Sequence, residues 1–219
     1  MGAPCSSAKP ELKETNVETP GTSIAIVAIL SYLLGSIPFG WLLTRFAGLG
    51  DIRDLGSGNV GATNVLRTGN KGIAAATLIL DAAKGAAPVL ALSVWPAGHA
   101  DLGLMAGLAA ILGHNFPVWL KFRGGKGAAT SIGVLLAIAW PVGLASIIIW
   151  LVMLALFRYS SLATLIALAV TPVFAFALAD KKVTALVGLL AVLGIARHHA
   201  NIRRLIRGAE SKVGSKDKI

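Results

Sequence analysis

Charge is scarce in these 219 residues: Lys, Arg, Asp and Glu make up only 14%, against about a quarter in an ordinary soluble domain. Carboxylates are the rarer half, ten against twenty Lys and Arg, too sparse for a magnesium-held nucleotide. Aromatics are 6%, and the basic loops are nearly free of them. That speaks against a nucleic-acid binder, which needs exposed rings for stacking. Cysteine occurs once, as Cys5, so no internal disulfide can form. The histidines are not grouped with cysteines or carboxylates, so no metal site is expected. No serine stands in a nucleophile-elbow context.

Hydrophobic residues, by contrast, reach 55%, with 25 glycines and a mean hydropathy of +0.75. Apolar segments rich in small residues suit close-packed transmembrane helices. Such segments fall at 24–43, 72–94, 99–120, 128–140, 142–157, 160–179 and 183–196. A span needs roughly 20 residues; the first three and the sixth meet that, and the others are short. Lys126 and Arg158 bracket the 128–157 run, which as one helix would be about 44 Å long, too long for a single straight span. Trp140-Pro141 interrupts it. A short helical hairpin is therefore expected, with a re-entrant pair as the alternative. The expected fold is all-α and polytopic, with about seven transmembrane helices.

Residues 1–22 are expected to be a disordered polar tail. The apolar run after them lacks a basic n-region and is too long for a cleavable signal, so it is read as an uncleaved first helix. Residues 23–215 are expected to form one membrane domain, with 216–219 a basic end. Net charge is +10. Fifteen Lys and Arg fall within 44–71, within 121–127, at 158 and in the C-terminal segment, while only Lys9, Lys13, Lys181 and Lys182 fall on the other side. By the positive-inside rule the rich face is cytoplasmic, the N-terminus outside and the C-terminus inside.

Three segments on that face combine glycine, amides and cations. The first is Gly56-Ser57-Gly58-Asn59-Val60-Gly61-Ala62-Thr63-Asn64-Val65-Leu66-Arg67. Its consecutive amides can form an anion-binding concavity, and Arg67 can grip phosphate bidentately. Its Gly56-x-Gly58-x-x-Gly61 spacing matches a dinucleotide fingerprint by letter, but no strand precedes it. The second segment runs from Gly113-His114-Asn115 to Gly124-Gly125-Lys126-Gly127 and enters a helix N-terminus, which favours anions. The third is the tail from Arg197 to Lys212; if it is helical, His198, Asn201 and Leu205 share a face. Asp81 and Lys84 lie inside the second helix as a structural pair or a functional one. Ser160 and Ser161 open the sixth helix as caps or as substrate donors. A small transporter would place its polar groups near the bilayer midplane, whereas these cluster at one interface.

These stretches, together with SYLLGSIPFG at 31–40, DAAKG at 81–85 and YSS at 159–161, resemble the bacterial acyl-phosphate:glycerol-3-phosphate acyltransferase family over about residues 24–215. The resemblance implies a multi-pass enzyme of the bacterial inner membrane with its active site on the cytoplasmic side. It implies transfer of an acyl chain from acyl phosphate to the 1-hydroxyl of glycerol 3-phosphate, giving lysophosphatidic acid and phosphate. An acyl phosphate is already activated, so direct transfer without acyl-enzyme, cofactor or metal is expected. The partners implied are the two substrates and the bilayer, with no nucleic acid and no obligate protein. Lys126, His198, Asn201 and Ser57 are expected to be catalytic. Gly58, Asn59, Gly61, Asn64, Arg67, Lys84, His114, Asn115, Ser160, Ser161 and Arg204 are expected to bind substrate. The resemblance favours a substrate phosphate as base, with His198 positioning; the residues themselves leave His198 open as the base.

Overall fold

The computed structural model of the chain describes residues 21–93 and 100–214. The expected tail over 1–22, apart from its last two residues, lies outside the described residues, as does the basic end. Among the described residues every regular element is helical. The longer ones are α1 (Gly21–Gly35), α2 (Phe39–Phe46), α3 (Ala62–Val65), α4 (Lys71–Ser93), α5 (Ala100–Asn115), α6 (Ala128–Ile138), α7 (Trp140–Phe157), α8 (Ser160–Leu178), α9 (Lys181–Arg197) and α10 (His199–Ile206).

Five stretches are long and apolar enough to cross a bilayer: Ser23–Phe46, Lys71–Leu92, Asp101–Leu120, Trp140–Phe157 and Ser160–Leu178. The bent pair α9 and α10 makes a sixth, and α6, at 11 residues, is the short one. Among the described residues each of the seven expected segments therefore falls on helix, the first divided between α1 and α2. The expected hairpin or re-entrant pair is α6 and α7, broken at Ala139 (φ −147°, ψ 77°), one residue before the interruption inferred at Trp140-Pro141. Proline sits instead in the first turn of α7, where its missing N–H leaves no bond unmade. The tail is not one continuous helix. It bends by 59° between α9 and α10, at His198, whose ψ of 8° leaves the helical region.

The helices meet through small residues. A Cβ on Gly85 of α4 would lie 2.3 Å from the Thr130 carbonyl oxygen of α6, and one on Gly133 of α6 would lie 1.9 Å from that of Ala82 on α4. Gly35 and Gly113 play the same reciprocal part between α1 and α5, at 2.0 Å from Ala110 O and 2.2 Å from Tyr32 O. Backbones this close gain dispersion contacts and tolerate no side chain at the crossing. The middle of the bundle is filled by Val89, Ile111, Val134, Leu186 and Leu190. One end is closed by Leu135, Val142, Ala175, Val183 and Val187. At the other end Ile52, Val60, Val65, Ala74 and Leu120 form a platform under the loop from Asp51 to Arg67.

Candidate active site

That loop is tied down by its own polar groups. Asp51 accepts from Arg53 N (3.0 Å) and Trp41 Nε1 (3.1 Å) and pairs with the Arg53 guanidinium at 2.6 Å. The Arg53 hydrogen bond holds its carboxyl well below the usual range. Gly56 and Gly58 adopt φ of 53° and 67°, the left-handed region that glycine enters without strain. Asn64 is 1% exposed. Its Oδ1 accepts from Ser57 N (3.1 Å), and its Nδ2 donates to Ile52 O (2.9 Å) and Leu55 O (3.0 Å). Asn64 therefore shapes the loop from inside and offers no group to a ligand. Gly58 N donates to Leu55 O, and Gly61 O accepts from Asn64 N and Val65 N as α3 begins. Arg67 lies across Gly56 and donates to Ser211 Oγ.

The glycine-lysine turn is held from two sides. Gly125 N donates to His114 O at 3.0 Å. Arg197 donates to Gly124 O (3.1 Å) and Gly125 O (3.0 Å), with its guanidinium over the Phe116 ring. Gly127, at φ 82°, then turns the chain into α6. Between these supports Lys126 Nζ donates to Asn201 Oδ1 at 2.6 Å. Asn201 Nδ2 donates to Glu210 Oε1 (2.6 Å), Ser161 Oγ donates to the same oxygen (2.7 Å), and Arg204 Nε donates to Glu210 Oε2 (2.6 Å).

Burial lowers the Lys126 ammonium to about 8; nearby Glu210 opposes the shift, and Arg204, Arg197 and Arg67 add to it. Burial works to raise Glu210, but the hydrogen bonds from Ser161, Arg204 and Asn201 outweigh it and keep the group a carboxylate. His198 Nδ1 lies 2.7 Å from Gly194 O. A carbonyl can only accept, so this nitrogen carries the proton and Nε2 of the neutral ring is left as an acceptor. A cavity of about 380 Å³ opens here, lined by Ser57, Arg67, Arg204 and Glu210 with Gly56 and Ser211 among its walls.

Of the expected residues, Lys126, Asn201, Ser161 and Arg204 are thus joined through one carboxylate, and Ser57 and Arg67 line the adjoining cavity. The two serines part company. Ser160 Oγ lies 3.0 Å from Thr63 Oγ1, while Ser161 reaches Glu210. Neither caps the helix, because Tyr159 holds the N-cap position. Asn59 is half-buried in the loop. Lys84, His114 and Asn115 are buried and do not line the cavity; they stand behind the site. Two residues escaped the sequence reading, Glu210 and Arg197. The signal for Glu210 was a lone carboxylate between Arg207 and Lys212. For Arg197 there was no signal, since positive-inside anchoring explains a cation at that position equally well.

A family model described as glycerol-3-phosphate acyltransferase matches residues 25–208. A glycerol-3-phosphate acyltransferase of Rhodospirillum rubrum is 56% identical over 205 residues, covering 91% of this chain and 95% of that one. One from Paramagnetospirillum magneticum is 61% identical over 187 residues, covering 85% and 92%. Among solved structures, PlsY (YgiH), an integral membrane glycerol 3-phosphate acyltransferase in its glycerol 3-phosphate form, superposes with a TM-score of 0.82 at 39% identity, covering 88% of this chain and 96% of that one. Its lysophosphatidic acid form gives 0.80 at 38%.

Proposed function

The chain belongs to the glycerol-3-phosphate acyltransferase family, and we propose that its acyl donor is an acyl phosphate and that the transfer is direct, without an acyl-enzyme. The observation that carries this is the hydrogen-bonded chain in which Lys126 donates to Asn201, and Asn201 and Ser161 donate to Glu210, beside a cavity walled by Arg67 and Arg204. The site is cationic and dense in N–H and O–H groups, with Ser161 engaged as a donor to Glu210 and Ser160 beside Thr63 Oγ1. Such a site suits two phosphate-bearing substrates better than a nucleophile awaiting acylation.

The chemistry then follows from the groups in place. Arg67 and Arg204 hold the phosphate of glycerol 3-phosphate, with Ser57 beside them; guanidinium forks match phosphate geometry. Lys126 stands at the second phosphate and meets the charge that develops as the acyl carbonyl is attacked. The glycerol 1-oxygen bonds to the acyl carbon, the bond from that carbon to the phosphate oxygen breaks, and inorganic phosphate departs. The hydroxyl proton passes to a substrate phosphate oxygen, with His198 positioning the acceptor. Asn201 holds Lys126 in place, and Glu210 holds Asn201. Most of the rate enhancement is positional, because the donor is already activated. Ser161, rather than Ser160, is the serine of the pocket. The excess of Lys and Arg on this face supports a cytoplasmic site in a bacterial inner membrane, with the N-terminus outside.

Initial rates of the purified protein, with glycerol 3-phosphate and acyl phosphate both varied, test the direct route. Intersecting double-reciprocal lines are expected. Parallel lines, or recovery of acylated protein, would overturn it.

A further inference from the structure

Behind the cavity lies a group of buried polar side chains that the transfer itself does not use. Asp81 and Lys84, three residues apart on α4, are 2% and 3% exposed, and Asp81 Oδ1 stands 2.7 Å from Lys84 Nζ. Lys84 also donates to Ile37 O at 2.7 Å, where the chain passes from α1 to α2. On its other side Asp81 Oδ1 faces His114 Nδ1 at 3.7 Å, too far for a hydrogen bond. That nitrogen has no hydrogen-bond partner among the described residues.

The far edge of the same ring meets the turn that carries Lys126. A Cβ on Gly125 would lie 2.1 Å from His114 Nε2, and a Cβ on Gly124 would lie 2.2 Å from His114 O. His114 is thus wedged between Asp81 and the glycine turn, which Arg197 fences from the opposite side through Gly124 O and Gly125 O. A buried ion pair returns little net stability for its desolvation cost, and intramembrane charges are expensive. What this pair has is fixed geometry. Ile37 O fixes Lys84, Lys84 fixes Asp81, and the carboxylate limits where the imidazole can sit.

We infer that Asp81 and His114 are positioning residues for Lys126: the carboxylate holds the imidazole ring, and the ring sets the height of the Gly124-Gly125-Lys126 turn so that the ammonium meets Asn201. Neither residue touches substrate. The inference rests on the reading of Lys126 given above. A misplacement of about 1 Å at a reacting group is enough to cost on the order of a hundredfold in rate.

The test uses purified, monodisperse H114A, G125A, the double variant H114A/G125A and K126A, assayed across pH. The unaltered enzyme is expected to lose activity as pH rises past about 8, where Lys126 loses its proton. In H114A the turn sags and Lys126 reaches more water. Its alkaline limb should move upward while kcat falls at least about tenfold. G125A, whose methyl meets the ring, should fall comparably. The double variant should lose no more than the worse single one, because the methyl fills space the ring has vacated. His114→Gln reads the same limb should H114A fail to survive purification. An unmoved limb in either His114 variant, together with losses that multiply in the double variant, would overturn the inference while K126A is still crippled. An unimpaired K126A would overturn the Lys126 reading and this inference with it.

Discussion

At the scale of single residues, Lys126 makes the sharpest statement. Burial lowers its ammonium to about 8, so the charged form that meets a phosphate is lost as pH rises through that value. Stability moves the other way. Between about 8 and the ordinary 10.5 the unfolded lysine binds more protons than the folded one, so folding becomes more favourable with pH in that window. A pH–rate profile and a pH series of thermal melts should therefore slope in opposite directions above pH 8; parallel slopes would mean that Lys126 is solvated. Arg67→Ala should keep insertion and lose about 2 kcal/mol, roughly thirtyfold in kcat/KM, the scale of a charge-assisted bond. Arg67→Lys should rescue only in part if the grip is bidentate. Ser161→Ala should cost more than Ser160→Ala, because only Ser161 donates to Glu210. The candidates Lys126, Asn201, Arg67 and Arg204 were legible as cations and amides beside glycine turns. The carboxylate that binds Asn201 and Arg204 was not. A glutamate in a basic tail reads as a surface residue until the chain folds back over α8. Asn64 was legible as a donor but not as one facing inward, since nothing local shows which side of a loop an amide takes.

At the scale of elements, the bend between α9 and α10 decides which histidine matters. His198 is buried at the bend, whereas His199 is exposed and its Nδ1 lies 3.1 Å from Ala196 O. His198→Ala should impair transfer without abolishing binding of either substrate, and His199→Ala should retain near-normal kcat. Equal losses would assign both rings to the fold. The helix crossings make a second claim. Gly133→Ala drives a methyl against backbone at 1.9 Å, an overpacking that costs about 1–3 kcal/mol and should show as a lowered melting temperature in detergent. A methyl on Gly188 of α9 meets nothing within 4 Å. Gly188→Ala should be neutral or gain up to about 1 kcal/mol from helix propensity. Helix existence was legible from apolar length. The break at Ala139 was placed one residue late, because proline disrupts the residues before it as well as its own position. The bend at His198 was invisible, since no Pro or Gly marks it and it is set by the tertiary contacts of Arg197 and Asn201.

At the scale of the whole molecule, the site's helix ends all lie together. The start of α6, the start of α8 and the end of α9 meet through Lys126, Ser161 and Arg197. Asp101 and Lys182 pair at 2.7 Å, at the start of α5 and the start of α9. Seven segments with the cations gathered at the site's end predict opposite sides for the two termini. In a Cys5→Ser background, a cysteine at position 22 should react with an impermeant thiol reagent added outside and one at position 212 should not; the reverse pattern would invert the topology. Fold class was legible at this scale because a bilayer limits a chain to few solutions. The donor is the claim on which the whole proposal turns, and one assay decides it. Purified protein, with metal chelated, is given glycerol 3-phosphate and either acyl phosphate or acyl-CoA. Direct transfer predicts lysophosphatidic acid and one equivalent of inorganic phosphate from acyl phosphate, and none from acyl-CoA. Turnover with acyl-CoA while acyl phosphate stays inert, or activity that returns only with metal, would contradict it.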